Sequence, residues 1–242
     1  VSFQRDPRPP STLDEELLAA EDRTILTELT DADRIERMRG ELEMGFAALK
    51  ELGPAVSVYG SARTLPGDPD YALARDTSRR LGEAGFAIIT GGGPGTMEAA
   101  NQGARDVGVR SVGLAIDLPH EEYLNDSVDL SLRFHYFFTR KVMFVRYASA
   151  FVVFPGGFGT LDELFEVLTL IQTAKIRHAP VVLVGVEYWS GLLAWMRDAL
   201  ETEGKIGPRD LELVRVSDDP SDILAAARAG AAARGVEPAP KG

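Results

Sequence analysis

Apolar positions follow two rhythms along this chain. From Thr30 to about Leu52 they recur every three or four residues, at Ile35, Met38, Leu42, Phe46 and Leu49. That spacing predicts one amphipathic helix with a single apolar face. Thr30 is a fitting N-cap, and Gly53-Pro54 ends the helix. Upstream, Leu13, Leu17 and Leu18 suggest a shorter helix within residues 13–29, behind a Pro-rich polar arm over residues 1–12.

After Pro54 the rhythm changes to short apolar runs alternating with helical patterns. Strands are predicted at Ala55–Tyr59, Phe86–Ile89, Ser111–Ile116, Leu130–Phe134, Phe151–Phe154, Val181–Gly185 and Leu213–Val216. Helices are predicted at Asp70–Ala84, Thr96–Val107, Thr139–Ala148, Leu161–Ala174, Tyr188–Glu203 and Ser221–Ala233. Residues 117–130 read mostly as loop. The strands are apolar throughout rather than alternating, so both of their faces are covered. Strand–helix alternation agrees. The expected fold is α/β: a Rossmann-like, doubly wound parallel sheet with helices on both faces. Residues 1–29 are read as an arm, and residues 30–242 as one domain with an added N-terminal helix.

Composition narrows the function classes. The 242 residues can bury a substantial core without covalent staples. No cysteine is present, which removes disulfides, thiolate metal sites and a cysteine nucleophile. A cytoplasmic setting is expected. The apolar runs are near strand length, too short to span a membrane. Val1–Pro10 has no apolar h-region, so it is not read as a secretory signal. Acids outnumber bases 37 to 26, for a net charge of −11. With no basic stripe to override it, that surface disfavours nucleic-acid polymers. A small phosphate ligand stays compatible, because a few amides and one arginine can bind it locally. His120, His135 and His178 are scattered, and no metal site is expected.

Three predicted strand ends carry small residues: Gly60-Ser61, Gly91 to Gly95, and Gly156 to Gly159. In an open parallel sheet, ligands bind outside the carboxyl ends of the strands. Neither longer loop completes the dinucleotide fingerprint, since Thr96, Glu98 or Asp162 stands where its third glycine belongs. No Gly-Lys-Ser/Thr follows either loop, so neither is a Walker loop. NAD and ATP motifs are therefore absent. Pro155-Gly-Gly-Phe-Gly-Thr160 keeps the makings of an anion cradle, with permissive glycines, converging amides and a helix start. The same residues also suit a plain strand–helix turn.

Glu163 has two readings. Thr160-Leu-Asp-Glu163 matches a capping box, in which the glutamate only satisfies a backbone amide. Alternatively it is a catalytic carboxylate. Arg140, early in its predicted helix, sits where a cation is unfavourable and calls for a compensating acid or anion. Arg63 shares that ambiguity. Met97 and the aromatics between Phe134 and Phe138 suit either a base-binding wall or core.

Gly91-Gly-Gly-Pro-Gly-Thr-Met97, Arg140-Lys141 and Pro155-Gly-Gly-Phe-Gly-Thr-Leu-Asp-Glu163 together closely resemble the LOG (Lonely Guy) family of cytokinin-activating phosphoribohydrolases. The resemblance spans roughly residues 55–216. It implies a Rossmann-like enzyme that hydrolyses the N-glycosidic bond of AMP or N6-modified AMP, giving free base and ribose 5-phosphate. It implies Arg140 and Glu163 as the catalytic pair. Gly156, Gly157, Gly159 and Thr160 would bind phosphate, and Met97 would lie in the nucleotide pocket. Gly60, Ser61, Gly92, Gly93, Gly95 and Lys141 complete the expected substrate-binding set. No cofactor is expected, and assembly as a homodimer or hexamer is. Gly60-Ser-Ala-Arg63, Met97-Glu98 and the segment before residue 54 differ from the compact plant-like pattern and look like a longer bacterial subgroup. Such proteins have also carried the label lysine decarboxylase. A pyridoxal enzyme needs a Schiff-base lysine, yet only Lys141 and Lys175 lie in the motif-bearing region, with no pyridoxal signature around them. The rival readings are a non-catalytic nucleotide sensor or carrier, and an interaction scaffold built on the residue 30–52 helix.

Overall fold

A computed structural model of the chain describes residues 12–18, 29–117 and 124–239. The expected helix within residues 13–29 is short, α1 (Leu13–Leu18). The remainder of that segment, and the first eleven residues of the Pro-rich arm, lie outside the described residues. So does the middle of the expected 117–130 loop.

Seven strands form one parallel sheet: β1 (Ala55–Tyr59), β2 (Ala87–Thr90), β3 (Ser111–Ile116), β4 (Leu130–Phe134), β5 (Ala148–Val153), β6 (Val181–Leu183) and β7 (Val214–Val216). Their spatial order is β4-β3-β2-β1-β5-β6-β7. The chain winds outward from β1 in one direction, then returns to β5 and winds the other way. The switch point falls between β1 and β5, where a doubly wound sheet opens a crevice.

Alternation within the strands separates two cores. Val56, Val58, Ile88, Val152 and Val182 face α3 (Pro69–Glu83), α4 (Thr96–Asp106) and α8 (Pro220–Ala233). Tyr59, Ile89, Phe151 and Val153 face α2 (Asp31–Leu49), α5 (Phe137–Tyr147), α6 (Phe158–Gln172) and α7 (Val186–Trp195). Phe86, Phe134, Phe144 and Phe151 are fully buried. Each such side chain contributes about 1.5–3 kcal/mol of transfer free energy.

Three expected boundaries shift in ways that matter. β5 begins at Ala148 rather than Phe151, and α5 begins at Phe137 rather than Thr139. α6 begins at Phe158, three residues before the expected Leu161. Both helices therefore start nearer the crevice than apolar periodicity suggests.

α2 corrects a second expectation. Thr30 caps it in a full capping box with Asp33. Yet Ile35 is 65 % exposed and Phe46 37 %, while Arg34, Glu41, Gly45 and Leu49 are buried. The docked face is rotated from the apolar stripe toward one carrying a carboxylate and a glycine. Gly45 permits close approach, because a Cβ there would lie 2.6 Å from Met143 Sδ. Glu41 tolerates burial because its oxygens are hydrogen-bonded to the start of α5.

Candidate functional site

The crevice lies at the carboxyl ends of β1 and β5. A cleft of about 910 Å³ opens there. Gly60 and Ser61 follow β1 and form one wall. Pro155 to Glu163 follow β5 and form the other, with Met97, Arg140, Phe137 and Phe144 closing it. Ser61 N donates to Pro155 O at 3.0 Å, which ties the two loops together.

The glycine loop runs directly into α6. Its N-cap is Gly157, which makes no side-chain cap. The first intrahelical bond is Leu161 N to Gly157 O. The amides of Phe158, Gly159 and Thr160 thus have no partner within the helix. They face a cleft at the positive end of the helix dipole, which favours an anion. A Cβ on Gly156 would run into Thr160 Oγ1 and lie 2.6 Å from Thr160 Cβ. Glycine there lets Thr160 pack beneath the loop. Among the described residues Arg63 makes no ion pair and stands as a cation on the cleft rim.

The helix start decides the reading of Glu163. Thr160 is the third residue of α6, not its cap, and Glu163 is the sixth. The capping-box explanation therefore fails. Glu163 is 6 % exposed, and its Oε1 accepts from Arg140 Nη2 at 3.1 Å. Arg140 lies in the first turn of α5 with its guanidinium carbon 5.6 Å and 5.3 Å from the ring centres of Phe137 and Phe144. The compensating acid that its position calls for is Glu163. Arg140 Nε is buried and has no hydrogen-bond partner. An orphaned buried donor in a cleft wants an oxygen from a ligand.

Burial pushes the Glu163 carboxyl above its ordinary value, and the charge and hydrogen bond of Arg140 pull against that rise. Tyr59, on the cleft wall, stacks on Phe151 and meets Phe144 edge-on. Burial, with the negative charges of Glu163 and Glu166, holds its phenol well above the usual range, so it stays neutral.

The expected substrate-binding residues divide. Gly60, Ser61, Met97, Gly156, Gly157, Gly159 and Thr160 line the cleft with Arg140 and Glu163. Gly92, Gly93, Gly95 and Lys141 do not. Gly92 and Gly93 are gripped from behind by Asn125, whose Nδ2 donates to both carbonyls at 3.0 Å. Asn101, Thr90 and Ser111 continue that buried network. Gly95 caps α4 at φ 69° and packs against the Ser61 and Ala62 backbone, a place open only to glycine. These three glycines support the loop that presents Gly91 and Met97. Lys141 turns away to Asp162 at 2.7 Å and Glu166 at 3.5 Å. Burial works against its charge, but Asp162, Glu166 and Glu163 outweigh it and raise its pKa. Among the described residues, no lysine lines the cleft.

Tyr188 was not foreseen. It stands early in α7, on the cleft wall, and its hydroxyl donates to Gly156 O at 2.7 Å. Its only sequence signal was position, just past the end of the strand next to β5.

Fold and cleft together define a Rossmann-like α/β protein in which a glycine cradle faces a partly buried arginine paired with a buried glutamate. A family described as "possible lysine decarboxylase" matches residues 97–227. A cytokinin riboside 5′-monophosphate phosphoribohydrolase of Mycobacterium marinum is 31 % identical over 178 residues, covering 72 % of this chain and 94 % of that protein. A rice protein named as a probable enzyme of that kind is 35 % identical over 138 residues, but the match spans only 56 % of this chain and 64 % of the rice protein. The chain belongs to the LOG family. Among solved structures, the molybdenum cofactor carrier protein of Chlamydomonas reinhardtii aligns with a TM-score of 0.55 at 23 % identity, over 74 % of this chain and 99 % of that one. That likeness concerns the fold. Among the described residues, no helix is long and apolar enough to cross a membrane, and no group of His, Asp and Glu is placed to hold a metal.

Proposed function

We propose that this chain hydrolyses the N-glycosidic bond of a nucleoside 5′-monophosphate, AMP or N6-modified AMP, to free base and ribose 5-phosphate. The observation that carries the reading is the pairing of a partly buried Arg140 with a buried Glu163, facing an anion cradle across one cleft. The mycobacterial and rice relatives, named for this reaction, support it.

The phosphate sits on the amides of Phe158, Gly159 and Thr160, with Arg63 on the rim as counter-charge. That places the ribose toward Glu163. As the C1′–N bond breaks, its electron pair leaves with the base and positive charge grows on the sugar ring. The Glu163 carboxylate stabilises that charge and orients a water. The water oxygen joins C1′, and one of its protons goes to the departing base. Arg140 fixes the carboxylate, and its orphaned Nε addresses a substrate oxygen. Phe137, Phe144 and Met97 supply apolar surface for the base. The phosphate takes no part in the bond change, so its binding energy goes to orientation.

Assembly as a homodimer or hexamer, which the family resemblance implies, would be resolved by sedimentation. Activity is tested by incubating the protein with AMP, N6-isopentenyl-AMP, other monophosphates and adenosine, with detection of free base. Base from a monophosphate but little from adenosine is expected. Nucleotide binding without base release would instead make the chain a sensor or carrier.

A further inference from the structure

The start of α5 is not capped by its own residues. Its N-cap, Tyr136, makes no side-chain hydrogen bond to the helix. The partners come from the N-terminal segment. Asp14 Oδ2, on α1, accepts from Phe137 N at 3.1 Å. Glu41, on α2, takes three more contacts. Its Oε1 accepts from His135 N at 2.9 Å and lies 2.8 Å from His135 Nδ1. Its Oε2 accepts from Thr139 Oγ1 at 2.6 Å. A few residues further along α2, Gly45 lies flush on Met143 of α5. His135 is also held from its other side, with Nε2 3.1 Å from Asp117 Oδ2.

Thr139 is the residue before Arg140. Arg140 shares the first helical turn with Phe137 and Thr139. The bonds from Asp14 to Phe137 and from Glu41 to Thr139 therefore hold the turn that carries Arg140, and those to His135 hold the residue before its N-cap. The intrinsic bond of that turn, Arg140 N to Tyr136 O, is long at 3.4 Å. A turn with a weak bond of its own takes its geometry from outside partners. A charged acceptor on a backbone amide is a strong partner.

We infer that α1 and α2 form a clamp that sets Arg140 against Glu163, with Glu41 as the principal positioning residue. This rests on the catalytic reading of Arg140. It gives the segment before residue 54, which sets this chain apart from compact relatives, a task in the reaction. Glu41 does not touch the cleft; it acts through Thr139 and the His135 backbone. Displacement of Arg140 by a fraction of an ångström should slow the chemical step more than it weakens substrate binding.

The test compares Glu41→Ala, Glu41→Gln and Thr139→Val, with Arg39→Ala on the exposed face of α2 as control. Glutamine can still accept from His135 and donate to Thr139, whose own proton then goes to Tyr136 O, 2.8 Å away. In Glu41→Ala, kcat for base release should fall roughly tenfold to a hundredfold, with KM for AMP within about threefold of wild type. Glu41→Gln should recover most of the loss. Should Glu41→Ala fail to fold, Thr139→Val carries the same comparison. A kcat within about twofold of wild type in both Glu41→Ala and Thr139→Val overturns the clamp. So does an equal loss in Glu41→Ala and Glu41→Gln. The Arg140 Nε–H signal in a ¹⁵N spectrum, assigned by its loss in Arg140→Lys, separates this inference from the proposed reaction. If the wild type releases no base, the reaction fails. The clamp then stands if that signal moves in Glu41→Ala and falls if it does not.

Discussion

Arg140 and Glu163 are 23 residues apart in the chain and 3.1 Å apart in space, both nearly buried, at the floor of one cleft. α5, just before β5, delivers the arginine, and the second turn of α6, after the glycine loop that follows β5, delivers the glutamate. Burial favours the neutral acid at Glu163, and the guanidinium favours the carboxylate. The catalytic role assigned to Glu163 depends on that balance.

The balance has a measurable sign. Burial raises the folded pKa of Glu163 above its ordinary 4.5, against the pull of Arg140. Between those two values the folded chain holds more protons at this group than the unfolded chain does. The stability it contributes is therefore lost as pH rises through that window. Glu163→Gln removes the titration. The variant's Tm minus that of wild type should become more positive from acid to neutral pH, read by calorimetry. The opposite trend would mean that the ion pair outweighs burial.

Activity should follow the same group. Turnover needs the carboxylate, so the acid limb of kcat should lie above 4.5. Arg140→Gln removes the charge that lowers this pKa and should move the limb to higher pH. A limb that stays in place in that variant would detach Arg140 from Glu163's ionisation.

The glycine cradle gives a sharper contrast. A Cβ on Gly159 meets nothing within 4 Å in the free protein. Gly159→Ala lies in the first turn of α6 and should stabilise the chain by up to about 1 kcal/mol. Yet the methyl occupies space the phosphate would use. KM for AMP should rise about tenfold, a loss of about 1.4 kcal/mol, with the slow reaction of adenosine unchanged. Equal effects on both substrates would place the phosphate elsewhere.

Much of this architecture was legible in the sequence. Continuous apolar strands gave the parallel sheet, and small residues after three of them marked its open end. The helix starts were harder. Phe137, Phe138 and Phe158 are apolar but 40 %, 45 % and 90 % exposed, so periodicity placed the starts of α5 and α6 too late. That error kept the capping box at Thr160 plausible. The α2 face was misjudged because its burial is partly polar, through Glu41. The support role of Gly92, Gly93 and Gly95 was hidden because Asn125 comes from a distant loop. Lys141 resembled a ligand by its place beside Arg140, but successive helix positions point to different sides.

The Asn125 support is itself testable. Asn125→Ala leaves the carbonyls of Gly92 and Gly93 without their side-chain donor. A buried loss of this kind costs about 1–3 kcal/mol, a fall in Tm of roughly 2–12 °C for a chain of this size. Met97 should shift with the loop, and base release should weaken. An unchanged Tm would show that water replaces the amide.

The most direct test is Glu163→Gln in a base-release assay with AMP, run beside calorimetric AMP binding. Intact binding, a folded protein and turnover reduced by about a thousandfold or more are expected. Turnover at the wild-type rate would contradict that expectation and leave Glu163 as a buried partner for Arg140 alone.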